Sequence, residues 1–192
     1  MGTTQHESDV DGTPTVFAYA KLNIRIGPLL RGEQFEDPLS EALEQNGLGQ
    51  VTGGGTMMQQ NREIDYCGID LDLVHPETSV PFVCSFLTDR GAPRGSALQY
   101  TDSTKVQVET PFGALEGLGL YLTSTDVPAL KALRDTLGQS LHGHGAMLGA
   151  WQGETETAFY IYGRSSDELR GLIAELVREH PLGQGSRIET IA

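Results

Sequence analysis

The sequence has few cysteines, few basic side chains and no long apolar run, and each shortage narrows the class of protein. Its 192 residues include two cysteines, and 13 lysines and arginines against 26 acidic side chains. Cys67 and Cys84 have no C-x-x-C spacing, which favours reduced packing residues over a disulfide framework or a zinc site. There is neither an apolar run of about 18 residues nor a basic and apolar N-terminal signal, which predicts a cytoplasmic protein without a membrane span.

The acidic excess gives the chain a formal net charge of −13. Nucleic-acid binders need a basic footprint that neutralises phosphates, so direct DNA or RNA binding is not expected. An acidic surface would instead speed encounter with a basic partner protein. The same charge is equally explained by solubility, because net charge alone identifies neither fold nor partner.

What the sequence does contain is one order of elements that occurs twice. Residues 1–13 are polar and lack periodicity, which predicts a disordered leader. Residues 14–100 read as strand, helix, strand, strand, helix, strand, and residues 115–192 repeat that order after a connector at 101–114. Two copies of a split βαβ unit predict an α+β fold of tandem duplicated ferredoxin-like (βαββαβ) domains with antiparallel sheets.

Helix punctuation supports this division. Asp37 followed by Pro38 predicts a helix start, and Gly47 predicts its end. Ser165 with Glu168 forms a capping box ahead of the most regular helical pattern in the chain.

Gly53, Gly54 and Gly55 form an unusual run just before a predicted strand. The matching stretch of the second copy, "GAWQGET", keeps a turn and loses the glycines. A turn between the second and third strands, or a bulge entering the hairpin, therefore explains the run. A phosphate cradle would need a helix N-terminus directly after the glycines, where the sequence predicts a strand.

The segments "LGQVTGGGTM", "WQGETETAFYIYG" and "PLGQGSRI" resemble an uncharacterised family of bacterial hypothetical proteins, which carries a GGGT turn and a WQGxTETAxYxYG segment. The resemblance covers nearly the whole chain and implies the duplication. It implies no activity and no catalytic residue.

The first group of candidate binding residues lies on a polar strand face. Tyr66, Asp70 and Asp72 alternate with apolar residues, opposite Lys21 and Arg25 of the neighbouring strand. These charges form either ordinary cross-strand pairs or a binding surface on the sheet face opposite the helices.

The second group of candidate binding residues lies in the second copy. Tyr160 and Tyr162, with Tyr121, are the counterparts there of the polar strand face. Trp151, the only tryptophan, lies beside Glu154 in a polar turn. It is either an interface anchor or packs against the connector.

The sequence contains no catalytic motif of a known type and predicts neither a cofactor nor a metal site. His142 and His144 lie two residues apart, but zinc usually takes at least three protein ligands. The surrounding glycines predict a helix end running into a loop. Whether the pair binds a metal stays open.

Three functions fit these observations. The preferred hypothesis is a non-catalytic acidic protein-binding module, such as an immunity protein or inhibitor that neutralises a basic toxin or enzyme. The alternative is a small-molecule sensor with its site between or on the two domains, at the glycine run and the polar strand face. The third is an enzyme that uses Asp70, Asp72 or the histidine pair. The fold class alone decides none of them.

Overall fold

The computed structural model describes residues 9–10 and 13–192, and it contains two α+β units built on antiparallel sheets. Most of the predicted leader, residues 1–13, lies outside the described residues. Within it, Asp9–Val10 (β1) pairs with Thr13–Pro14 (β2) as a short two-stranded sheet.

The first unit contains a five-stranded sheet and the helices packed on one of its faces. Its elements are β3 (Val16–Leu22), α1 (Pro28–Arg31), a π-helical turn (Gly32–Glu36), α2 (Asp37–Asn46), β4 (Gly49–Met58), β5 (Ile64–Leu73), α3 (Pro76–Asp89), β6 (Ser96–Thr101) and β7 (Gln107–Phe112). The strand order is β4-β5-β3-β6-β7, with antiparallel neighbours throughout. The segment interpreted as a connector, 101–114, thus contains an additional edge strand.

The second unit has a four-stranded sheet with the same arrangement. Its elements are β8 (Glu116–Leu122), α4 (Val127–Ser140), β9 (Gly145–Gln152), β10 (Thr157–Gly163), α5 (Ser166–Glu179), a 3-10 turn (Pro181–Gly183) and β11 (Arg187–Thr190). The strand order β11-β8-β10-β9 equals that of β6, β3, β5 and β4 in the first unit. The predicted α+β fold of duplicated ferredoxin-like units is therefore confirmed.

The first helical region starts earlier than the sequence predicts. It begins at Pro28, whose fixed φ suits the first helical turn, and continues through the π-helical turn into α2. Asp37 has helical dihedral angles (φ −61°, ψ −48°) and does not act as an N-cap. The prediction was wrong because Gly32 and Pro38 made the region read as a loop. Gly47 ends α2 in the left-handed region, as expected (φ 62°).

The glycine run lies inside β4 and does not form the predicted turn, which falls instead between β4 and β5, at residues 59–63. The pairing of β4 with β5 shifts register between Val51 and Gly53, so the alternative expectation of a bulge is confirmed.

Each sheet packs one face on its own helices. The first core joins Ala20, Leu22 and Ile69 to helical side chains such as Phe35 and Leu39. A separate apolar cluster fills the second unit. Cys67 is fully buried in the first core, and Cys84 is partly buried; neither forms a disulfide bond.

Candidate functional site on the open face of the first sheet

Both sheets have an open face, defined here as the face opposite the helices, but the two faces differ in exposure. In the second unit this face carries Tyr121, Tyr160 and Tyr162, which are only 4%, 0% and 1% exposed. Their hydroxyl groups contact Arg25 and Glu63 of the first unit. The expectation that these tyrosines line an exposed binding surface is therefore wrong, because the first unit covers them.

Glu63 is the centre of this contact between the units. Its buried carboxylate accepts hydrogen bonds from the Tyr121 hydroxyl at 2.6 Å and the Tyr160 hydroxyl at 2.9 Å, and it forms an ion pair with Arg25. Asn61 donates to the second carboxylate oxygen at 3.3 Å. Burial, and next the hydrogen bond to Glu63, raise the pKa of Tyr121 to about 12, so both tyrosines donate as neutral hydroxyls.

Backbone groups complete the contact. The Arg25 N–H donates to the Tyr162 hydroxyl at 2.9 Å, and the Trp151 indole N–H donates to the Asn61 carbonyl at 3.1 Å. Gly149 allows the Arg25 carbonyl to approach, because a Cβ there would overlap that oxygen. Trp151 therefore anchors the two units of this chain to each other, which is neither of the two roles that the sequence left open for it.

The open face of the first sheet has no such cover from the second unit. Phe17 is 56% exposed on it, and the adjacent strands β4 and β5 contribute three glycines, Gly53, Gly55 and Gly68. The Tyr19 side chain lies over Gly68, and the Asp70 carboxylate lies against Gly53. A Cβ at Gly55 would meet nothing within 4 Å. The sheet backbone is therefore accessible at Gly55, next to the strand positions that carry the Tyr19 hydroxyl and the Asp70 carboxylate.

Tyr19 supplies the hydroxyl near this accessible backbone. Partial burial, the neighbouring Tyr66 and the Asp70 carboxylate raise the pKa of Tyr19 to about 12. The hydroxyl therefore stays protonated at neutral pH and is suited to hydrogen bonding.

Tyr66 and Asp70 supply the groups that attract positive charge. The Lys21 ammonium lies 4.5 Å from the centre of the Tyr66 ring, which shows that this ring face accepts a cation. Asp70 is only partly exposed, and within residues 13–192 no lysine or arginine lies within salt-bridge distance of its carboxylate. We call Tyr19, Tyr66, Asp70 and Gly55 the glycine-floored site.

Two other predicted binding residues lie outside the glycine-floored site. Asp72 is on the same face but is only 7% exposed, so the expectation that it lines an exposed binding surface is wrong. Phe17 of β3 and Gln50 of β4 are its cross-strand neighbours. Glu154 is exposed in the turn between β9 and β10.

Gly54, the middle glycine of the run, faces the helices and not the open face of the sheet. Arg31, 7% exposed, donates to Glu36 at 2.5 Å and to the Thr56 hydroxyl at 2.6 Å. The Glu36 carboxylate lies over Gly54, where a Cβ would overlap it. A side chain at Gly54 would therefore displace the Glu36 carboxylate from its place beside Arg31.

The two histidines of the pair, His142 and His144, have different neighbours. His142 follows α4 in a turn, and His144 Nδ1 lies 2.8 Å from Glu168 Oε1 of α5. Among the described residues, no three histidine, cysteine, aspartate or glutamate side chains form a metal-binding group. Nor does any helix in the described part of the chain have the length and apolarity to cross a membrane.

Sequence reasoning missed Tyr19 and Glu63 as site residues. Tyr19 could have been found, since it occupies the central polar position of an alternating strand. Glu63 could not, because its burial depends on a hairpin tip that meets a distant sheet.

Comparisons with known proteins do not assign this chain to a family. No family model matches it, and no curated protein matches it. Similar solved structures include a proposed transcriptional repressor of the glycine cleavage system (13% identity, 92% of this chain and 95% of that chain, TM-score 0.30). A haem-binding protein from Thermus thermophilus has 12% identity, covering 91% and 88% (TM-score 0.28). The first two RRM domains of yeast poly(U)-binding protein have 14% identity, covering 92% and 99% (TM-score 0.26). At these scores the neighbours carry no argument about function.

Proposed function

We propose that this protein is a non-catalytic small-molecule-binding protein, and that its ligand is a small organic cation held at the glycine-floored site. One observation carries the proposal: the second sheet's open face is covered by the first unit, whereas the first sheet's open face keeps accessible backbone at Gly55 near the Asp70 carboxylate, which forms no ion pair with a lysine or arginine of the described residues.

Each part of the glycine-floored site has a role in this proposal. Asp70 pairs with the ligand's ammonium or guanidinium group. The ligand's charge also contacts the face of the Tyr66 ring, where it replaces the Lys21 ammonium. The Tyr19 hydroxyl donates to an acceptor on the ligand. The open space above Gly55 lets a flat ligand reach the sheet backbone. The net charge of −13 raises the local concentration of cations at this face.

The test is ligand-induced thermal stabilisation, followed by calorimetric titration of the hits. The panel comprises putrescine, spermidine, agmatine, arginine and choline, with uncharged diols and dicarboxylates of similar length as controls. A ligand at 100 times its dissociation constant stabilises the folded state by about 2.7 kcal/mol. For a chain of this size, that corresponds to a shift of about 5–10 °C in melting temperature. Equal responses to cations and uncharged controls would refute the assignment of the ligand class.

Two variants and a matched control locate the site. Asp70→Asn is expected to weaken cation binding at least tenfold, because the paired charge is lost. Gly55→Val is expected to abolish binding while the fold is kept, since its Cβ enters open space. Glu109→Gln removes an exposed acid from the same face at β7 and is expected to bind like the wild type. Loss of binding in Glu109→Gln as well would indicate non-specific attraction to an acidic surface.

A basic protein partner remains the second candidate, and the charge of −13 together with exposed Phe17 favours it. An immunity protein or inhibitor would use the same face, with a lysine or arginine side chain of the toxin or enzyme in place of the free cation. Such binding should slow steeply as salt rises, since exposed charges are screened beyond about 8 Å at physiological ionic strength. Affinity capture from the native host with the wild type and with Asp70→Asn separates the two cases. A protein partner should be captured by the wild type and lost with Asp70→Asn, whereas a free ligand gives no captured protein with either.

A further inference from the structure

Strand β4 differs from an ordinary edge strand in carrying neither a charge nor a proline along its length, and its protection is limited to irregular pairing with β5 at Val51–Gly53 and Met57–Met58. It is ten residues long, lies at the edge of the five-stranded sheet, and has β5 as its only neighbouring strand among the described residues. Natural edge strands are usually short or are protected by charges, prolines or a covering element. The β4 sequence, GQVTGGGTMM, contains no charged residue and no proline, in a chain of which 20% is charged.

Two other sheet edges carry charges or a proline, and the uncharged edge β9 has the Arg25 backbone against it at Gly149. The opposite edge of the same sheet, β7, carries Glu109 and Pro111, and β11 of the second unit carries Arg187 and Glu189. At the C-terminal end of β4, Met57 and Met58 are 50% and 57% exposed, among the most exposed large apolar side chains described. Apolar exposure and the absence of charge and proline thus coincide on one strand.

We propose that β4 pairs with β4 of a second copy of this chain, antiparallel and across a two-fold axis at Gly54, so that two five-stranded sheets become one. The sequence around Gly54 supports self-pairing, because Thr52-Gly-Gly-Gly-Thr56 reads the same in both directions. An antiparallel pair related by a two-fold axis places each residue opposite its mirror position. Threonine then faces threonine, and glycine faces glycine; threonine pairs are favourable across strands.

Charge also favours a second copy over a charged partner. The uncharged strand offers nothing to attract an acidic or basic segment, and it puts no like charges opposite each other when two copies with a charge of −13 meet. The Glu36 carboxylates that lie over Gly54 in each copy are already neutralised by Arg31. The glycine-floored site borders this seam, since Gly55 would face Gly53 of the second copy, but the pairing does not depend on any ligand.

The experiment measures the mass of the full-length chain in solution, by light scattering after size exclusion, over a hundredfold range of concentration. The wild type is expected to show twice the chain mass of 20.7 kDa and to dissociate on dilution. The double variant Thr52→Lys with Met58→Lys adds two edge charges at exposed positions and is expected to be monomeric. The matched control, Val106→Lys with Gln107→Lys, adds the same charge beside and on β7 and is expected to remain dimeric.

Hydrogen exchange of the backbone amides from 52 to 56 gives an independent readout. These amides are expected to be protected in the wild-type dimer and to exchange faster in the Thr52→Lys and Met58→Lys variant, with exchange elsewhere in the sheet unchanged. A wild type that is monomeric at every concentration overturns the proposal. This holds even if a different polypeptide is later found to pair with β4. A dimer that survives the β4 lysines, or one that is lost equally in the β7 control, also overturns it.

Discussion

Removing the carboxylate of Glu63 tests whether the two units are held together by a buried polar contact. The Glu63 side chain is 7% exposed and that of its partner Arg25 is 15% exposed, so little water can replace the lost charge. Breaking a buried ion pair by deleting one partner costs about 3–5 kcal/mol, because the other charge stays buried. We expect about 3–4 kcal/mol for Glu63→Ala, since Arg25 keeps its hydrogen bond to Tyr121 at 2.9 Å.

The size of the effect can be compared with two further variants. Glu63→Gln keeps the shape and one acceptor oxygen but turns its amide N–H toward the Asn61 amide, so we expect a smaller loss of about 1–3 kcal/mol. Glu156→Ala removes one partner of the ion pair with Arg187, whose side chains are 31% and 44% exposed. An exposed pair of this kind contributes about 0–1 kcal/mol.

The assay is urea unfolding followed by two probes. Trp151, the only tryptophan, hydrogen-bonds to Asn61 at the contact between the units, so its fluorescence reports that contact directly. Far-ultraviolet circular dichroism reports both units together. In Glu63→Ala the fluorescence midpoint should fall below the dichroism midpoint, and the melting temperature should drop by about 6–16 °C. A loss no larger than that of Glu156→Ala, with coincident transitions, would refute the role assigned to Glu63.

Individual side chains give three further predictions. The pKa of both Tyr19 and Tyr121 is raised to about 12 in the folded state, so their contribution to stability should be constant below pH 10, the ordinary tyrosine value, and fall as pH rises toward about 12; urea midpoints between pH 8 and pH 12 check this. Gly171→Ala should stabilise α5 by about 0.5–1 kcal/mol because its Cβ meets open space, whereas Gly54→Ala should lower the melting temperature by displacing Glu36. Tyr162→Phe should cost about 1–2 kcal/mol in equilibrium unfolding, because the Arg25 N–H loses its acceptor.

The fold could be predicted from the sequence because each unit repeats local signals. Alternating strands, Gly47 and the Ser165 cap all act within a few residues, and the Ser165 hydroxyl does accept from the Glu168 N–H at 3.3 Å. The start of the first helix was missed because Gly32 and Pro38 weaken a local helical pattern, while burial of Phe35 and Leu39 stabilises it. Packing energy of this kind is absent from any short window of sequence.

The candidate site was only partly predictable, since exposure depends on how the units meet. The polar face of β5 was identified correctly as carrying Tyr66 and Asp70. The same alternation in β10 identified Tyr160 and Tyr162, but the alternation cannot tell a solvated face from one covered by another unit. Distant residues make that difference, namely Arg25 and Glu63 and the first-unit core in which these tyrosines are packed.

The two open faces are not interchangeable, and this argues against a third repeat as the partner of the first sheet. The covered face presents tyrosine hydroxyls that are all satisfied by one carboxylate and one backbone N–H. A unit docking the same way on the first sheet would bury Asp70 and Lys21, and a buried polar group without a partner costs about 1–3 kcal/mol or more when charged. The proposed binding of a ligand or side chain that brings its own positive charge to Asp70 avoids this cost, which a further apolar sheet face would not.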